Sequence, residues 1–323
     1  MKAIVYTKYG TPGVLHLKEL DKPIPKENEV LVKIHTASVN SWDWDLLTGK
    51  PYLYRLLFGI FKPKHNILGC DIAGRVEDVG KKVEQLKLGD EVFGDISTYW
   101  GGFAEYVCVP ENTLALKPAS MKFEEAAATP HAAVLALQSL RDKKQLKKGE
   151  KVLIIGAGGG VGTFAVQMAK LFGAEVTAVD SAEKLEMLSS LGANHVIDYK
   201  QEDFTKNGQC YDLIIDVVAS RSVFEYKKSL MANGICVIVG GSISTLLQTA
   251  IFGSLISGSQ NKKVSVLIHE ANKDIAFIKE LFEEGKVKPI IDKSYSLEEV
   301  PDALACLGNG KARGKLVINV LND

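Results

Sequence analysis

Over roughly the first 120 residues, apolar and polar positions alternate in short runs broken by glycine and proline. Ala3–Tyr6, Glu29–Ile34 and Gly74–Gly80 carry this period of two, and LGDEVFG and GGFAEYVCV follow in the same manner. Successive strand side chains point to opposite faces, so the pattern predicts a strand-rich, largely antiparallel body. From Phe123 the period changes. EEAAATPHAAVLALQSLRD is a long alanine-rich helical pattern, with Pro130 placed to kink or restart it. KVLIIGAGGGVG, TFAVQMAKLF, EVTAVD, EKLEMLSSLG and HVIDY then alternate buried-strand and helix texture. YDLIIDVV, GICVIVGG and KVSVLI add strands, YKKSLMA reads as a helix, and DIAFIKELFEEG is an amphipathic helix ending at Gly285. This alternation is the rhythm of a parallel sheet covered on both faces. The tail, ARGKLVINVL, returns to strand texture and is expected to fold back on the first body. Two domains follow, one from residues 1–122 with 291–323 and one from residues 123–290.

The chain's 323 residues suffice for two domains at about 100–200 residues each. Basic and acidic residues number 39 each, so no net field draws in nucleic acid or an anionic membrane, and a small molecule is the expected partner. Cys70, Cys108, Cys210, Cys236 and Cys306 are scattered without a CxxC pair, which fits reduced thiols and a cytoplasmic location. The opening MKAIVYTKYG reads as a strand rather than a signal peptide. No run approaches the roughly 18 apolar residues of a membrane span, so no integral membrane segment is expected.

The strongest chemical signal lies in KVLIIGAGGGVGTFAVQMAK. Ala157-x-Gly159-x-x-Gly162 matches a dinucleotide fingerprint with alanine at its first position. Gly159 would let the backbone approach a pyrophosphate, with Gly160 and Val161 opening the helix whose amides and dipole meet its charge. Gly162 would let that helix press against the strand. Asp180, about 20 residues on, suits ribose hydroxyls and favours NAD(H). Ser181, Lys184 and Tyr199 lie nearby, however, and a lysine with two hydroxyls can hold a phosphate.

The segments LVKIHTASVNSWDWDLLTG, LGCDIAGRVEDVG, LGDEVFG, GGFAEYV, GAGGGVGTFAVQMAKLFGAEVTAV, LGANHVIDY and GKVKPIIDKSYSLEEVPDAL…ARGKLVI together resemble the medium-chain dehydrogenase/reductase superfamily over essentially the whole chain. The resemblance is strongest to its zinc-independent, quinone oxidoreductase-like branch. It implies an α/β fold: a doubly wound Rossmann sheet plus a GroES-like, β-rich substrate domain, with the active site in the cleft and a homodimer as the assembly. In NADPH-using members, Ser181, Lys184 and Tyr199 match positions facing the 2′-phosphate, whereas Asp180 matches the acid of NAD-using alcohol dehydrogenases. Membership tips the expectation towards NADP(H), with NAD(H) left open. Gly240, Gly241 and Ser242, after the strand ICVIV, are placed to present backbone groups to the nicotinamide.

Zinc-dependent members place three ligands where this chain has Asn40, Cys70-Asp71 and His131. Losing the first thiolate leaves a poor tetrahedral site, so no zinc is expected, although Cys70, Asp71 and His131 remain donor-capable. Without a metal, hydride transfer relies on proximity, orientation and an activated acceptor such as a quinone, enone or carbonyl. Asn40 is a candidate donor to the developing oxyanion, and Tyr52 and His131 are candidate proton donors. Trp42 and Trp44 are equally well explained by core packing. The apolar stretch 244–258 is expected to line an acceptor pocket or a subunit contact. Competing readings are an alcohol dehydrogenase with a modified zinc site and a non-catalytic nucleotide-binding scaffold.

Overall fold

The computed structural model describes residues 1–219, 221–240, 249 and 260–321. It divides into two compact units, Met1–Val134 with Glu270–Asp323, and Leu135–His269. The strand-rich unit therefore takes in residues 123–134 and 270–290, which their helical texture assigned to the other domain. Burial explains the difference. Phe123, Ala126 and Ala127 of the helix Phe123–Ala127, with Ile275 and Phe282 of the helix Ile275–Glu283, pack on Ala73 and Phe93 of the strand-rich unit. Pro130 opens a second helix, Pro130–Arg141, as a restart rather than a kink.

In the first unit, Glu29–Val39 is the central strand. It pairs antiparallel with Asp71–Val79, Tyr106–Pro110 and Lys315–Asn319. The tail strand Lys315–Asn319 thus joins the first body, as its texture suggested. Val30, Val32, Ile34 and Ala37 are fully buried and anchor a core that includes Ile72, Val92, Leu304 and Ile318. The ladders run in register from Ser38 to Asp71 to Asp95, and from Val39 to Leu316. That alignment brings Asn40, Asp71, Asp95 and Lys315 to one end of the sheet.

The second unit holds six parallel strands in the order His195–Asp198, Glu175–Asp180, Lys151–Ile155, Tyr211–Asp216, Leu230–Ile238 and Lys263–Val266. Starting from Lys151–Ile155, the chain adds two strands on one side and then the others on the opposite side. The sheet's direction of growth reverses beside that first strand, and a crevice opens at such a reversal, beyond the carboxyl ends of the strands. One element is shorter than its sequence implied. The helix within the YKKSLMA stretch ends at Ser229, and Leu230–Ala232 already belong to the next strand.

Between Lys151–Ile155 and the helix Gly160–Leu171 the glycines divide their work. Gly156 has φ +75° and makes the left-handed turn off the strand. At Gly162 a Cβ would lie 2.5 Å from Ala157 Cα and overlap the Gly156 carbonyl oxygen. The helix start is pressed onto the turn, and only glycine allows it. A Cβ at Gly159 would meet only the Gly156 oxygen, at 3.5 Å, an ordinary contact. Gly162→Ala should therefore cost about 1–3 kcal/mol or more of stability, because backbone rather than side chain must move. Gly159→Ala should melt within a degree or two of wild type, on the order of 0.5 kcal/mol or less. Equal melting temperatures for the two variants would contradict this division.

Candidate active site

Each unit carries one candidate constellation. In the second unit it is the turn at the sheet reversal. The first-turn amides of Gly160–Leu171 have no preceding intrahelical carbonyl to bond, and Gly159, Gly160 and Val161 are only half-buried. An anion can approach there, while the buried Ala157 and Gly162 form the wall behind. Asp180, at the end of the neighbouring strand, is folded onto this turn. Its Oδ2 accepts from the Gly158 amide at 2.8 Å, and its Oδ1 accepts from the Ser181 amide at 2.8 Å. Lys184 Nζ sits 3.3 Å from Asp180 Oδ1, with both side chains about nine-tenths buried. Tyr199 follows the adjacent strand, donates its amide to the Asp180 carbonyl and is 54% exposed. The residues read from the sequence as Ala157, Gly159, Gly160, Val161, Gly162, Asp180, Ser181, Lys184 and Tyr199 are therefore gathered in one place. Gly240 follows the strand Leu230–Ile238 with φ +79°, its α-carbon open to space. Gly241, Ser242 and nearly all of the 244–258 stretch lie outside the described residues.

In the first unit, seven side chains converge in the core at the sheet end: Ser38, Asn40, Cys70, Asp71, Asp95, His131 and Lys315. Asn40 leads from the central strand into the helix Ser41–Thr48. Its Nδ2 donates to Cys70 Sγ at 3.2 Å and Asp71 Oδ2 at 3.0 Å, and its Oδ1 accepts from Lys315 Nζ at 2.6 Å. The amide that the sequence offered to an oxyanion is thus spent within the cluster. Asp71 Oδ2 also accepts from Ser38 and lies 3.3 Å from Lys315 Nζ, while its Oδ1 accepts the backbone amide of His131. His131 Nδ1 bonds Asp95 Oδ2 at 2.7 Å, and Asp95 Oδ1 is held by the Ser97 amide. Cys70, Asp95 and His131 bring one ligand atom each within 4.8 Å of one another, so the metal-capable trio contains Asp95 where the sequence pointed to Asp71.

These groups shift one another's protonation. Burial alone would lower the His131 pKa, but the Asp95 carboxylate reverses this by charge and hydrogen bond, with Asp71 adding to it, and the pKa ends above the ordinary histidine value. Burial, then the carboxylates of Asp43, Asp71 and Asp95, push the Cys70 thiol well above its usual range. Asp43 is pushed by burial up to about 7, against the lowering effect of the Asn40 and Gly69 amides that it accepts.

Tyr52 stands outside this cluster: it is 63% exposed and lies under the Arg55 guanidinium. Trp42 packs against Trp100 and Phe58 and also faces the His131 ring at 6.0 Å between centroids, whereas the Trp44 ring lies over Gly308 and serves the core. Gly156, Asp95 and Lys315 were not singled out from the sequence. For Lys315 a signal existed, since a lysine opening the apolar run LVINV needs a buried counter-charge.

The Alcohol dehydrogenase GroES-like domain model matches residues 26–119, the Zinc-binding dehydrogenase model residues 191–318, and the Alanine dehydrogenase/PNT C-terminal domain model residues 145–221. The chain is 36% identical to 2-methylene-furan-3-one reductase of Solanum lycopersicum, over 99% of this chain and 79% of that one. It is 32% identical to the chloroplast envelope quinone oxidoreductase homolog of Arabidopsis thaliana, over 98% of each. The solved quinone oxidoreductase of Coxiella burnetii superposes with a TM-score of 0.90 at 30% identity, covering 99% of both chains. The chain belongs to the medium-chain dehydrogenase/reductase superfamily, among its quinone oxidoreductase-like, NAD(P)H-dependent reductases.

Proposed function

We propose that this protein reduces a quinone, enone or similarly activated carbonyl with NADH, without a metal ion. The observation that carries the cofactor assignment is the turn at Gly159, open to an anion, with the Asp180 carboxylate folded onto it. The amides of Gly160, Val161 and Gly162 would hold the diphosphate, and Asp180 would accept from a ribose hydroxyl. In the sequence Asp180 favours NAD(H), and the family resemblance leans towards NADP(H) through Ser181, Lys184 and Tyr199. The ion pair weighs against that lean: the Lys184 ammonium is held by the Asp180 carboxylate. A 2′-phosphate there would meet the Asp180 carboxylate, with Lys184 already paired to it.

Metal independence rests on donor chemistry. A catalytic zinc needs deprotonated thiolate and imidazole donors around an open position. Asn40 stands where a thiolate donor is expected in zinc-dependent members and turns N–H groups rather than a lone pair towards Cys70 and Asp71, leaving Cys70, Asp95 and His131 as the donor-capable groups. The Lys315 ammonium already supplies a buried cation beside Asp71. The missing thiolate at Asn40 and the resident ammonium of Lys315 support chemistry that does not depend on zinc.

Reduced nicotinamide supplies one hydride, and one proton completes reduction of the acceptor. His131 is the proton donor in this reading. Asp95 fixes its ring through Nδ1 and raises its pKa, so the imidazolium persists to higher pH than in an ordinary histidine.

The direct test is oxidation of NADH and NADPH with a quinone panel, before and after chelation. Preference for NADH and undiminished turnover after chelation are expected; a strict zinc requirement would contradict the proposal. Asp180→Asn keeps an acceptor for the Gly158 amide while removing the charge. It should raise the NADPH-to-NADH ratio of kcat/KM about tenfold or more, as expected for a change in a charged hydrogen bond. An unchanged ratio would show that the acid does not face the ribose. His131→Gln should lower kcat about a hundredfold. Wild-type activity should fall as pH rises through the elevated His131 pKa, and this alkaline limb should vanish in the variant. A variant profile that keeps the limb would remove His131 from the chemistry.

A further inference from the structure

Leu53, Leu56 and Leu57 belong to the short helix Tyr54–Phe58 and its N-cap, and Ile60 follows the turn at Gly59, whose φ is +118°. In a globular protein the apolar side chains of a surface helix face the core. Here they are turned outward. The four side chains are 49%, 65%, 71% and 55% exposed, and Phe61 just beyond them is 94% exposed. The orientation is held from the inner side. Phe58 packs edge-on against Trp42, Arg55 stacks on Tyr9 at 4.4 Å and donates its Nε to the Gly49 carbonyl at 3.0 Å, and the Tyr9 hydroxyl donates to the Gly59 carbonyl at 2.6 Å. The apolar face is therefore presented by design of the packing, and a few adjacent residues of this kind mark a site of association.

The charge around it selects the partner. Positions 46–70 contain no aspartate or glutamate, yet they include Lys50, Arg55, Lys62 and Lys64, in a chain whose total charge is zero. Lys62 and Lys64 are exposed and flank the Phe61 tip, while Pro63 between them is buried and fixes the bend. An apolar tip bordered by lysines matches the boundary of an anionic bilayer, where acyl chains take the apolar side chains and headgroups meet the ammonium groups. A two-fold pairing of the patch with a second copy would set the same lysines against one another. No helix among the described residues is long and apolar enough to cross a membrane. We propose that the Leu53–Lys64 surface seats this protein peripherally on an anionic lipid membrane.

Cosedimentation of the full chain with phosphatidylglycerol–phosphatidylcholine vesicles, against phosphatidylcholine alone, tests this. Wild type should pellet with the anionic vesicles and be released by salt. Leu57→Ser with Phe61→Ser should abolish pelleting, and Lys62→Gln with Lys64→Gln should weaken it about 25-fold, at about fivefold for each charge near the surface. Both variants alter exposed side chains, so their melting temperature and dinucleotide affinity should equal those of wild type. Three results would overturn the proposal. Wild type could stay in the supernatant with anionic vesicles. The serine variant could bind vesicles normally but show a raised KM for quinone, which makes the patch an acceptor wall. Sedimentation equilibrium could show a dimer that the serine variant loses, which makes the occupant a second copy.

Discussion

Everything proposed for the second unit depends on how closely the helix Gly160–Leu171 approaches the strand that precedes it. Gly162 lies against the turn so tightly that a methyl group overlaps backbone, and this contact aims the helix start at the sheet reversal. Because the helix begins there, its unpaired amides and positive dipole end face the place where the sheet opens a crevice. Gly159 then leaves that place accessible. The same short sequence thus contains one glycine required by packing and another whose bare α-carbon matters only to a ligand.

The first unit solves a different problem, the burial of charge. Asp71 and Lys315 are fully buried, and neither would be tolerated alone. Strand register places them at one end of the sheet, where Asn40, Ser38 and the His131 amide satisfy the remaining acceptor and donor capacity. This network positions the His131–Asp95 pair beside it. It also places a fixed cation, the Lys315 ammonium, beside Asp71 in the same cluster.

Much of this was legible in the residues. The period-two runs and the strand–glycine–helix rhythm mark both sheets, and the glycine spacing with Asp180 marks the turn. Less legible were contacts fixed by register between distant strands. Nothing local to GDIS announces that Asp95 meets His131, because the pairing depends on the ladder from Ser38 through Asp71. Domain limits were blurred for a related reason. The helix Phe123–Ala127 has the texture of the second unit, but its apolar side chains are buried by the first. Net charge is a coarse guide for a like reason, since a total of zero coexists with a local run of lysines and arginine without acids between positions 46 and 70.

The central claim is that a dinucleotide diphosphate sits on the first turn of Gly160–Leu171. Calorimetric titration of wild type and Gly159→Val with NADH tests it most directly. Wild type should bind at one saturable site per chain. The valine variant should melt normally yet bind about a hundredfold more weakly or not at all, through the loss of two charged hydrogen bonds. Equal affinity in the two proteins, or no binding in wild type, would contradict the account.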